Sequence, residues 1–316
     1  MSEDAKLEDI KGVGHITAEK LRGAGVNSVE ELAVTPIREL MDKAELSKKS
    51  ALKLSEIARQ LMSMSFVSAM ELWEKRKDMM RCGTGSEALD DLLAGGIETK
   101  AMTELVGEYG AGKTQICLKL CVMTQLSPEQ GGLSGSVLFF DTEGTFSAQR
   151  IHQMAQAMEL DPDPILDGIL VSRVYTSDHQ ILLLDHSFKI CREEGIKLVV
   201  VDSLISHFRS EYIGRESLAE RQQKLNNYLH KLLRLAEIYN LAVVITNQAQ
   251  ANPNAFFGNP DRPAGGHVLA HACTHRVMLR KSKGPKRIAR IFDSPYIPDR
   301  ECVFRISEKG IEDAEE

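Results

Sequence analysis

The eight residues Gly107-Glu108-Tyr109-Gly110-Ala111-Gly112-Lys113-Thr114 constrain the fold more than any other stretch. An apolar run over 102–106 leads in, and a helix-like run beginning at Gln115 and reaching 125 leads out, so the order is strand, glycine loop, helix. Glycines let backbone N–H groups close around phosphate oxygens, and the new helix N-terminus adds a favourable dipole. Lys113 would then reach the β and γ phosphates, and the Thr114 hydroxyl would ligate Mg²⁺. The plain alternative is a glycine-rich turn before a helix, but the strand before it and the helix after it are the context that nucleotide binding requires.

From residue 81 onward strands and helices alternate. Apolar, β-branched runs at 102–106, 137–141, 168–175, 198–202 and 242–246 are separated by helical patterns near 114–125, 148–159, 177–194 and 216–239. This alternation predicts an α/β fold with a mainly parallel sheet covered by helices on both faces. Ligands of such sheets lie at the carboxyl ends of the strands. Those ends carry chemistry. After 137–140 comes Asp141-Thr142-Glu143-Gly144-Thr145-Phe146, which sets Glu143 beside the expected γ-phosphate to orient or deprotonate water. After 198–201 comes Asp202, placed to hold a water on Mg²⁺, and after 242–246 come Asn247 and Gln248, the latter placed to sense the γ-phosphate.

Two polar stretches read as long loops. Residues 207–216 carry Arg209 and Arg215, and residues 249–266 carry Phe256-Phe257 among Asn, Pro and Gly. Arginines with aromatics suit single-stranded DNA, through phosphates and unstacked bases; solvated, mobile loops are the other reading. Residues 280–290 hold six basic residues, no acid and a Gly-Pro turn, a hairpin tip that either supports DNA or is merely solvated.

The first 60 residues centre on two helix-like segments around Gly12-Val13-Gly14, a helix-hairpin-helix pattern whose glycines free backbone N–H groups for a DNA phosphate. The alternative is a small helical domain whose glycines only stop helices. Gly25 followed by Ser28-Val29-Glu30-Glu31 predicts a turn, a cap and a new helix. Residues 61–70 are apolar and β-compatible, ahead of a helix-like stretch at 71–80. A linker is usually polar, so Phe66 with Ala69 either plugs a neighbouring subunit, with the backbone adding a strand to its sheet edge, or packs on its own domain. The expected division is 1–60, a linker at 61–80, and 81–316.

A net charge of −6 excludes a generally basic coat but not a local basic stripe, because screening acts over about 10 Å. The six cysteines form no CxxC pair or zinc-spaced cluster, and no secretory signal is present, so they read as buried thiols of a cytosolic protein. No apolar run approaches the roughly 20 residues of a membrane span.

Together these stretches resemble the RecA superfamily of recombinases, most closely the archaeal RadA group and its eukaryotic relatives. The resemblance rests on GEYGAGKTQ at 107–115, DTEGTF at 141–146, EYIGRESLAERQQKLN at 211–226, GGHVLAH at 265–271 and DSPYIPD at 293–299. It implies a RecA-like ATPase core behind a helix-hairpin-helix domain, and an ATP-dependent strand-exchange protein forming filaments on single-stranded DNA, with duplex DNA as second substrate. By the same resemblance Glu143 is the catalytic glutamate, Gln248 the γ-phosphate sensor, Arg150 an adenine contact, and Phe66 with Ala69 the polymerisation motif. Arg215 and Arg221 fall in the first DNA loop and 249–266 in the second. His271, Asp293, Ser294, Pro295 and Pro298 would reach ATP on the adjacent subunit. Asp293 and Asp299 are a place for K⁺ near the γ-phosphate, which would offset repulsion between carboxylate and phosphate. Two departures stand out: Ser147-Ala148-Gln149-Arg150 replaces the usual Arg-Pro-Glu-Arg, and no basic residue follows Gln250 closely. The rival functions are a recombinase paralogue acting as mediator and a different RecA-core motor; recombination mediators are expected partners.

Overall fold

The computed structural model describes residues 6–77, 79–251, 261–264 and 266–315. The chain divides into two compact units, Met1–Asp78 and Met79–Glu316.

In the first unit a 3-10 turn at Leu7–Asp9 precedes α1 (His15–Gly23), α2 (Val29–Val34), α3 (Ile37–Lys43), α4 (Lys48–Leu61) and α5 (Ala69–Lys77). Leu7, Leu21, Leu32, Leu40 and Leu54 form its core. The segment before Gly12 is thus one turn rather than a helix: the Asp9 carboxylate takes the Lys6 N–H at 2.8 Å, and Gly12 turns the chain at φ +103°. The second cap is as expected, with Ser28 Oγ accepting from Glu31 N at 3.2 Å while Glu31 accepts from Asn27 N at 2.6 Å. Ser68 and Glu71 cap α5 reciprocally, at 3.1 and 2.8 Å, so the helix begins at Ala69.

The second unit opens with a short antiparallel pair, β1 (Arg81–Cys82) and β2 (Ile97–Glu98), around α6 (Glu87–Leu92). Then follow β3 (Met102–Gly107), α7 (Lys113–Met123), β4 (Ser136–Asp141), α8 (Ala148–Ala157), α9 (Pro162–Asp167), β5 (Ile169–Arg173), α10 (Ser177–Glu193) and β6 (Ile196–Asp202). The chain continues through α11 (Ser206–Glu211), α12 (Leu218–Tyr239), β7 (Ala242–Ala251), β8 (Asp261–Pro263) and α13 (His267–Ala272). It ends with β9 (His275–Lys281), β10 (Lys286–Asp293), β11 (Arg300–Ser307) and β12 (Gly310–Asp313). The strand order is β12-β11-β10-β9-β3-β7-β6-β4-β5, with β8 on β7.

Six strands from β9 to β5 run parallel, and β9 to β12 form an antiparallel flank. The continuous apolar runs of β3 and β6 follow from cover on both faces: Leu105, Phe139 and Val200 pack with α7 residues such as Ile116, while Met102, Phe140 and Val199 pack with Leu229 and Leu232 of α12. β5 is the parallel edge, and its Leu170 and Val171 remain exposed.

Two expected loops carry regular structure among the described residues. Residues 206–211 form α11 because Phe208 drops fully into the core, and its last residue, Glu211, is held by the Ser177 backbone N–H at 2.7 Å. Strand β7 continues to Ala251 and pairs antiparallel with β8, so the segment 249–266 begins and returns as a ribbon. Phe256 and Phe257 lie outside the described residues. The basic tip at 280–290 is the expected hairpin of β9 and β10, turning at Gly284 with φ +58°. Among the described residues no helix is long and apolar enough to cross a membrane. All six cysteines are free thiols.

Candidate nucleotide site

Strand β3 ends at Gly107, where an added Cβ would lie 2.5 Å from the Leu279 carbonyl on β9, so only glycine lets the two strands pass. The loop then turns through Gly110 at φ +76° and Gly112 at φ +108° before α7 starts at Lys113. Glu108 and Tyr109 form its outer lip, with Tyr109 95% exposed, and Ala111 is buried beneath it. Lys113 Nζ folds back onto the carbonyls of Gly107 and Glu108 at 2.7 and 2.9 Å. Burial pushes the Lys113 amine down, against the pull of Asp202 and Glu143. A cradle of N–H groups around an ammonium is suited to a polyphosphate.

Behind Lys113, Thr114 Oγ1 donates to Asp202 Oδ2 at 2.8 Å, and Thr246 in the middle of β7 donates its hydroxyl to Asp202 Oδ1. Burial pushes Asp202 above the usual carboxylate range, while these two hydroxyls and Lys113 pull it down. Among the described residues no group of three or more His, Cys, Asp and Glu could enclose a metal. One hydroxyl and one carboxylate fit Mg²⁺, which keeps waters and phosphate oxygens in most of its coordination sphere.

Glu143 is presented by a short turn. Asp141 accepts from Gly144 N at 2.7 Å and Thr145 N at 3.0 Å, and Arg173 Nη1 lies 2.9 Å from the Asp141 carbonyl. Gln248 Nε2 reaches to 3.4 Å from Glu143 Oε1. Lys113, Thr114, Asp202, Glu143 and Gln248 are therefore drawn together at the carboxyl ends of β3, β4, β6 and β7. The residues missed in the sequence are Thr246, Arg173 and Thr142, whose hydroxyl binds Ser203 N at 2.7 Å across the cis Asp202–Ser203 peptide. For Arg173 and Thr142 the only signal is a position at a strand end.

Arg150 Nε donates to Gln115 Oε1 at 3.0 Å and Nη1 to the Glu308 carbonyl at 3.1 Å, while Nη2 meets the Ser307 carbonyl. It thereby joins the start of α7 to the turn between β11 and β12.

The other residues expected to reach a nucleotide lie elsewhere. Asp293 closes β10 opposite Arg276, whose partner on β3 is Glu104, three residues before Gly107. His271 lies four residues before His275, which pairs with Thr103. Both sit toward the amino ends of the strands. The loop after Asp293 is pinned from beneath: Ser294 Oγ accepts from Ile297 N at 3.0 Å and meets His275 Nδ1 at 3.1 Å, and the Tyr296 hydroxyl donates to Glu98. Ser294 thus uses its side chain on its own loop and on His275 of β9, and Asp293, Pro295 and Pro298 face outward. Asp299 is held by Arg290 through Nε and Nη2, at 2.8 and 2.5 Å, which holds its carboxyl below the usual range.

A family model described as Rad51 matches residues 75–314. With its glycine loop, strand-end carboxylates and large mostly parallel sheet, the chain belongs to the Rad51 family of RecA-type recombination ATPases.

Proposed function

We propose that the chain, a member of the archaeal RadA branch, assembles on single-stranded DNA as a helical filament and uses ATP with Mg²⁺ to carry out homologous pairing and strand exchange with duplex DNA in recombinational repair. The observation that carries this reading is the division of the nucleotide residues: Lys113, Thr114, Asp202, Glu143 and Gln248 occupy the carboxyl ends of the strands, whereas His271 and the loop after Asp293 lie toward the amino ends of β3 and β9. Each protomer then holds two halves of different sites, and ATP completes one site between neighbours.

Two surfaces suit such assembly. Phe66 is 107% exposed, and Ala69 beside it begins α5 on the surface. Beside the open edge β5 is a cleft of about 120 Å³ lined by Leu138, Phe140, Val171, Leu183 and Ile190. In this reading Phe66 of one copy fills that cleft while its flanking backbone pairs with β5.

The DNA contacts follow the loops that the strand ends carry. Arg209 lies on α11, Arg215 stands exposed between α11 and α12, and Arg221 is in the first turn of α12. Gln248 leads from the γ-phosphate end into the β7–β8 ribbon, giving ATP a path to the second loop. In the first unit Gly12 and Gly14 form the duplex-binding turn of a helix-hairpin-helix domain; no atom lies within 4 Å of a Cβ built on Gly14, so its backbone is approachable.

Within the site, Mg²⁺ would rest on Thr114 directly and on Asp202 through water, and Glu143 orients or deprotonates the attacking water. Arg150 has N–H donors engaged, so it meets adenine with its flat face. A K⁺ ion would rest on Asp293, whose contact with Arg276 at 3.7 Å is looser than the paired contacts that hold Asp299 on Arg290. Electron microscopy of the protein with single-stranded DNA tests the assembly: helical filaments with Mg²⁺-ATP are expected, and an ATP-bound protein that stays monomeric on DNA would contradict it.

A further inference from the structure

Four polar residues cross the sheet in a line that starts in the core and ends at the surface. Asn247 on β7 donates to Glu104 Oε1 at 2.7 Å; Arg276 Nε on β9 donates to Glu104 Oε2 at 2.5 Å; and Arg276 Nη1 lies 3.7 Å from Asp293 Oδ2 on β10. The strand register makes this continuous, with Glu104 opposite Arg276 and Arg276 opposite Asp293, past a bulge that leaves Phe292 against the Arg276 guanidinium at 4.8 Å. The Glu104 side chain is wholly buried and Asn247 fully so, whereas that of Asp293 is 53% exposed, so the line begins inside the core and ends at the surface.

Its inner end is tied to the nucleotide residues. Asn247 Oδ1 accepts from the Gln248 N–H at 2.8 Å, and Gln248 faces Glu143. The same Asn247 amide donates to the Ala264 carbonyl at 2.6 Å, where the chain returns from the β7–β8 ribbon toward α13 and His271. Arg276 is suited to its place because a guanidinium offers donors on separate nitrogens, so Nε meets one carboxylate while Nη1 faces another; an ammonium is a single point.

We infer that Asn247, Glu104, Arg276 and Asp293 act as positioning residues that couple the γ-phosphate end of a protomer's own site to the Asp293 loop it offers to the next protomer. This rests on the proposed function, since a shared nucleotide site gives the coupling its use. A bound γ-phosphate engages Gln248, fixes Asn247, and through Glu104 and Arg276 restrains Asp293 at the opposite side of the sheet. One occupied site then prepares the next along the assembly.

The test uses the full chain carrying Phe66→Glu, expected to be unassembled and taken as its monomer fraction by size exclusion, so any effect on the loop arises within one protomer. Hydrogen exchange is followed in peptides spanning 293–299, with and without Mg²⁺ and a non-hydrolysable ATP analogue. Nucleotide is expected to slow exchange there about fivefold or more, the scale of ordinary site coupling. Arg276→Lys, which keeps the buried charge but not both contacts, should abolish that slowing while nucleotide affinity stays within about twofold of the parent. Asp293→Asn, at an exposed position, should abolish it too and decides the matter if the lysine variant does not fold. Slowing that survives in a folded variant overturns the coupling, as does nucleotide binding without slowing in the parent. Failure to bind nucleotide both in the Phe66→Glu chain and in the chain that keeps Phe66 overturns the functional reading and the coupling with it.

Discussion

Gln248 holds its amide nitrogen 3.4 Å from Glu143 Oε1, joining the carboxylate after β4 to the strand that runs into the β7–β8 ribbon. The contact places the group that would activate water against the group that would report the γ-phosphate to DNA. Glu143→Gln keeps the shape and removes the base. Hydrolysis should fall by about 10²- to 10⁴-fold with ATP affinity nearly unchanged. Steady-state turnover with equilibrium nucleotide binding checks this, and a loss of affinity equal to the loss of turnover would show that Glu143 serves binding instead.

Phe66→Glu should leave the fold of the protomer intact, because the ring is fully exposed on the single chain. It should convert assemblies to monomers in light scattering, since a charge would then have to enter an apolar cleft. Persistent assemblies would place the interface elsewhere.

Arg215→Ala should weaken single-strand binding and lower the salt slope by about 0.7, the loss of one phosphate contact. Titrations at several salt concentrations measure it. An unchanged slope would move the DNA path away from the turn between α11 and α12.

Lys119 on α7 is only 3% exposed and donates to the Lys309 carbonyl at 3.0 Å and to Met158 Sδ at 2.9 Å. Burial pushes its amine down to about 8. Between that value and the ordinary lysine range the unfolded chain binds more protons than the folded one, so this residue's contribution to stability rises with pH and is lost as pH falls through about 8. Unfolding free energies from urea titrations of the parent and Lys119→Met across pH 8–10.5 should diverge by about 3 kcal/mol in pH-dependence, the variant lacking that rise. Parallel profiles would mean the amine titrates normally.

The parts of this architecture legible in the sequence are those set by neighbours along the chain. The glycine loop between β3 and α7, the buried parallel strands and the Ser28 cap each carry their cause within a few residues. What the sequence hid depends on distant partners. Helix α11 exists because Phe208 finds the core, and without that burial the arginines around it read as a loop. The antiparallel strands β11 and β12 alternate only weakly and take their place from β10. Thr114 meets Asp202 across 88 positions, and Arg276 meets Glu104 across 172, so no local pattern announces either pair.

The most direct test of the account is a homologous-pairing assay with ATP, Mg²⁺, single-stranded DNA and a matching duplex, run beside Lys113→Ala. That variant removes the ammonium that sits within the loop, along with its contacts to Gly107 and Glu108. The account predicts joint molecules from the natural chain and none from Lys113→Ala. A natural chain that binds ATP and coats single-stranded DNA yet forms no joint molecules would contradict it and point to a mediator role.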